Sequence, residues 1–62
     1  MIAAIAADIT TAAAMLAQGD THRAEQYARA AHSAAVEASF DPALSTEAWA
    51  LMDQADAILA SL

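Results

Sequence analysis

The 62-residue sequence predicts an all-α fold, a three-helix up-down-up bundle, on the strength of three observations. Alanine, the strongest helix former, supplies 21 residues. Large apolar residues recur at helical spacing, as in Ile2, Ile5, Ile9 and Leu16. The single Gly and single Pro sit where that periodicity breaks, and the short intervals between helices leave no room for a strand. A single domain spanning 1–62 is expected, with helices at about 2–17, 21–38 and 45–61.

The first helix carries one charge, Asp8. Opposite its Ile/Leu stripe lie Ala4, Ala7, Thr11, Ala14 and Met15, with little that demands water. A helix apolar nearly all round is usually buried on more than one side, yet two further helices can cover only one. Ala4, Ala7, Ala14 and Met15 are therefore expected to form an oligomer or partner interface. The bundle itself is expected to be completed by oligomerisation. A chain this short builds a small core, and no Cys or metal-ligand cluster is present to staple it.

Gly19 suits a left-handed cap at the end of that helix, and Asp20 or Thr21 can cap the start of the next. So short a connection permits only an antiparallel hairpin. The second helix presents Ala24, Tyr27, Ala28, Ala31, Ala34, Ala35 and Ala38 inward, a face with one large member. Such a face lets a neighbouring helix approach closely. Its polar side carries His22, Glu25, Gln26, Arg29, Ser33 and Glu37, with Glu25 and Arg29 at ion-pair spacing. Ser39 to Pro42 forms the second break. Taking Ser45 as N-cap places Leu44 and Trp49 at the spacing of a hydrophobic staple. The third helix then points Ala48, Leu51, Met52, Ala55, Ile58, Leu59 and Leu62 inward. Trp49 and Asp56 fall on its boundary, one turn either side of Asp53.

The run Ala13 to Asp20, Ala-x-x-Leu-Ala-Gln-Gly-Asp, followed by Ala24, Tyr27, Ala28 and Ala31, resembles the helical hairpin of a tetratricopeptide repeat. Pro42 and then Trp49 resemble the opening of a following repeat. The resemblance covers about half the chain. It departs from the family at Thr21, where an aromatic residue is usual, and in the segment before Pro42, which is longer than the pattern. It implies paired antiparallel helices. One and a half repeats would not build a concave peptide groove, so no binding residue is carried over.

Charge narrows the function. The net charge of −6, with Arg23 and Arg29 the only basic residues besides histidine, argues against direct nucleic-acid binding and against anionic membrane surfaces. The longest uncharged run, Ile9 to Gly19, is too short to span a bilayer. The N-terminal stretch lacks the basic start of a secretory leader, and Cys is absent, so a cytoplasmic location is expected. No catalytic, metal or cofactor site is expected. His22 and His32 are too far apart along one helix to share a metal, and His32, near Glu25 and Arg29, reads as part of a solvated face. The serines have no base positioned to activate them. The pair Asp53 and Asp56 is too small a ligand set for a cation.

What remains is a non-enzymatic protein–protein interaction module. It would be a small helical adaptor or inhibitor that docks on a larger protein and self-associates. Trp49, Asp53 and Asp56 are candidate partner-binding residues. Glu37, Asp41 and Glu47 extend an acidic surface over a C-terminal half that has no Lys or Arg. The alternative is an acidic phage-type inhibitor, anti-CRISPR or anti-restriction, whose carboxylates block a nucleic-acid-binding surface.

Overall fold

The computed structural model describes all 62 residues and contains three helices, α1 (Ile2–Ala17), α2 (Thr21–Ala38) and α3 (Ser45–Ala60), with no strand. The first two match the expected spans. The third ends one residue early, which leaves Leu62 beyond the helix and 43% exposed instead of inward.

The α1–α2 turn follows from Gly19, which takes φ of +80°, a conformation that disfavours any side chain. Its N–H donates to the Leu16 carbonyl at 3.0 Å, and the Asp20 N–H reaches back to Met15 at 2.9 Å. These two bonds close a Schellman motif on the last turn of α1. Asp20 then turns outward from one helix into the next. Its carboxylate accepts from the Arg23 N–H at 3.1 Å, satisfying a free donor at the start of α2.

The α2–α3 corner works differently from the expected staple. Asp41 accepts the Ala43 N–H on its side chain at 2.9 Å and the Leu44 N–H on its carbonyl at 2.9 Å. That turn leads directly into α3, so Leu44 occupies the cap position and Ser45 is already helical. The Ser45 hydroxyl points back to the Pro42 carbonyl at 3.4 Å and caps nothing in α3. Trp49 does not shelter beside Leu44 and is 61% exposed.

Twelve residues are buried, and eight of them are alanine. The centre is a seam on α2 formed by Ala24, Ala28, Ala31, Ala35 and Ala38, spaced alternately by four and three residues. That is the heptad spacing at which helices pack with small crossing angles, and methyl groups present no bulk to hold a neighbour away. Ile5, Ile9 and Ala12 of α1 carry the same spacing, and α3 contributes Ala48, Leu51, Met52 and Ala55. One cluster joins Ile5 and Ile9 to Ala31, Ala35 and Ala38, so the start of α1 lies beside the end of α2. It also joins those alanines to Ala48 through Ala55 of α3, which runs back along α2. Both outer helices pack mainly on α2 and less on each other. Tyr27, expected on the inward face, flanks the seam and is 39% exposed, because close helix approach leaves no space for its ring between backbones.

The seam leaves no slack. Replacing Ala31 with Leu should therefore destabilise the protein by about 1–3 kcal/mol through overpacking. In a domain of this size that lowers Tm by about 4–8 °C per kcal/mol, read from thermal melting of the helical circular dichroism signal. An unchanged Tm would show that the helices are not closely apposed there.

Candidate interaction surfaces

Two surfaces remain once the core is accounted for. The first is the outer flank of α1. Ala4, Ala7 and Ala14 are exposed there, and Met15 is half-buried at its edge. Thr10 and Thr11 share this side of the helix, and both hydroxyls are turned inward along it. Thr10 donates to the Ala6 carbonyl at 3.1 Å and Thr11 to the Ala7 carbonyl at 2.9 Å. This bonding pattern satisfies the polar hydrogens within the helix. The flank is therefore apolar in effect as well as in composition, and Asp8 is half-buried off to one side.

The second surface runs along the outside of the α2–α3 pair. His32 of α2 and Asp56 of α3 approach to 3.3 Å between Nε2 and Oδ1, the one side-chain polar contact that bridges two helices. The other pairs, Arg23–Asp20 at 3.6 Å and Arg29–Glu25 at 3.5 Å, are local to α2 and its cap. Arg29, His32, Ser33, Asp56 and Leu59 line an open depression of about 390 Å³. The His32–Asp56 contact was not legible in the sequence, which placed His32 with Glu25 and Arg29 alone. The missing information was the register of α2 against α3, which no local pattern encodes.

The remaining acidic residues do not form one row. Glu47 and Asp56 lie on opposite sides of α3 by helical geometry. Glu37 points outward from α2, and Asp41 sits in the corner with one carboxylate oxygen engaged by Ala43. Asp53 and Asp56 share a side with Trp49. Large apolar residues are also left in solvent, with Phe40 the most exposed at 80%. Phe40 was not singled out from the sequence, although a lone aromatic residue in a polar break was signal enough to flag it. No three His, Cys, Asp or Glu side chains are placed to share a metal ion, and no helix is long and apolar enough to cross a membrane.

Comparison with protein-family models, curated proteins and solved structures finds no match. The functional reading therefore rests on these two surfaces alone.

Asp56 is 61% exposed and His32 37%, so solvent screens their attraction and holds it to the range of roughly 0–1 kcal/mol. The change Asp56→Asn should shift the urea unfolding midpoint only slightly, and the shift should shrink in high salt. A loss above about 2 kcal/mol would instead show that the pair holds α3 in place.

Proposed function

We propose that this chain is a non-enzymatic protein-interaction module that self-associates through the outer flank of α1 and docks on a larger protein. The observation that carries this reading is the polar satisfaction of that flank. With the Thr10 and Thr11 hydroxyls already bonded to Ala6 and Ala7, a partner can cover the surface without stranding an unpaired donor. Charge supports the same choice. In a chain of net charge −6, α2 and α3 both carry outward carboxylates, so pairing either with its own copy sets acid against acid. The α1 flank carries a single acid, Asp8, at its edge one turn from Ala4, and so opposes fewer like charges. Its small side chains also allow a second helix to approach as closely as the alanine seam allows within the bundle.

The acidic-inhibitor reading draws less support. A phosphate row is imitated by carboxylates aligned along one face, and Glu37, Asp41, Glu47, Asp53 and Asp56 are spread over several.

Sedimentation equilibrium in the micromolar range should give a mass of twice the 6.4 kDa chain. Ala7→Lys or Ala14→Lys, both at exposed positions, should return the monomer while keeping full helicity. A wild-type chain that stays monomeric throughout that range contradicts self-association.

A further inference from the structure

Cys is absent, so the sulfur of this chain resides in three methionines, and the fold gives each a different setting. Met52 is 5% exposed within the core cluster, and Met1 is 73% exposed ahead of α1. Met15 is half-buried on α1 itself, at the edge of the outer flank. Its carbonyl accepts the Asp20 N–H at 2.9 Å, so the capping turn holds this residue in place. Thr11 lies one turn before it on the same side of the helix. The only side-chain donors within α1 are the Thr10 and Thr11 hydroxyls, and both are given to carbonyls of their own helix. Met15 is therefore an apolar sulfur beside a surface on which α1 has no free side-chain donor.

Resting on the self-association reading, we propose that Met15 is an oxidation site for hydrogen peroxide and that its sulfoxide separates the pair formed through the α1 flank. The sulfur lone pair attacks one peroxide oxygen, and the S–O bond forms as the O–O bond breaks. The departing hydroxide takes the proton of the transferred oxygen and leaves as water. The thioether is oxidised by two electrons and the peroxide is reduced by two. The product carries a strongly accepting oxygen where an apolar sulfur stood. On the free chain, water satisfies that oxygen. Against a second copy it meets alanine methyl groups and hydroxyls already committed, so covering it strands an acceptor. A two-fold pair contains Met15 twice and meets that cost twice. The linkage also runs in reverse: covering the flank shields Met15, so it oxidises more slowly in the pair than in the single chain. Met52, in the core, is kept from the oxidant, so the response is confined to the surface and leaves the fold in place.

The test treats the full chain with hydrogen peroxide, locates each added oxygen by fragment-ion mass spectrometry and measures the mass by sedimentation equilibrium. Circular dichroism follows the fold in the same samples. Met15 should oxidise well before Met52, and its oxidation should raise the dimer dissociation constant roughly tenfold or more with helicity unchanged. Met1→Leu removes the other exposed sulfur and should leave this response intact. Met15→Leu should dimerise and ignore peroxide, and Met15→Gln, which places a polar group at the same point, should weaken the dimer without any oxidant. Dissociation that persists in Met15→Leu, or a dimer that survives complete oxidation of Met15, overturns the proposal. So does a Met15 that reacts no faster than Met52. The two readings separate in the untreated sample: a dimer there that peroxide leaves unchanged contradicts only the oxidation site, whereas an untreated monomer contradicts self-association and the proposal with it.

Discussion

Close approach of helices at the alanine seam of α2 is the constraint on which the rest of the structure depends. Ala24, Ala28, Ala31 and Ala35 are fully buried and Ala38 nearly so, and both other helices pack against that line. A methyl group offers little apolar area. The seam therefore stabilises the fold through dense contact and good helix propensity more than through bulk burial. Ile5, Ile9, Leu51 and Met52 supply the only large buried side chains, and none of the four is sealed off completely. Anything that widens the spacing removes contact from two interfaces at once.

The same constraint explains what lies outside. The small-residue seam leaves little interior space for aromatic rings: Tyr27 and Trp49 lie on helix flanks, and Phe40 sits in the α2–α3 corner. The outer side of α1 is left as methyl groups and internally bonded hydroxyls. These two kinds of leftover surface differ in chemistry. The α1 side is made of small side chains with Asp8 near its edge; the α2–α3 side carries exposed Trp49 on the same side as Asp53 and Asp56. The depression at His32 and Asp56 is open along the helix pair.

Much of this was legible in the residues because it is encoded locally. Gly19 marks a positive φ, Asp20 caps through its side chain, and the Glu25–Arg29 pair forms at the expected spacing. The buried alanines of α2 likewise follow from period alone. The misreadings fall at helix ends and at the packed seam. Ser45 satisfies the local pattern of a cap, but the turn begun at Asp41 already supplies the entry to α3. Tyr27 belongs to the apolar stripe by angle, yet the seam's spacing excludes it. Leu62 keeps the right angle only if the helix continues, and it stops at Ala60. For the surfaces, the residue types on the α1 flank and Trp49 were visible, whereas the meeting of His32 with Asp56 depends on the α2–α3 register.

Amide hydrogen exchange along the chain tests the central claim most directly, because it ranks segments by how completely the protein must open to expose them. If α2 is the packing centre, the slowest amides lie between Ala28 and Ala38 and exchange only through global unfolding, with α1 and α3 opening at lower cost. Amides of α2 that exchange as fast as the helix ends, while those of α1 or α3 remain protected, would contradict it.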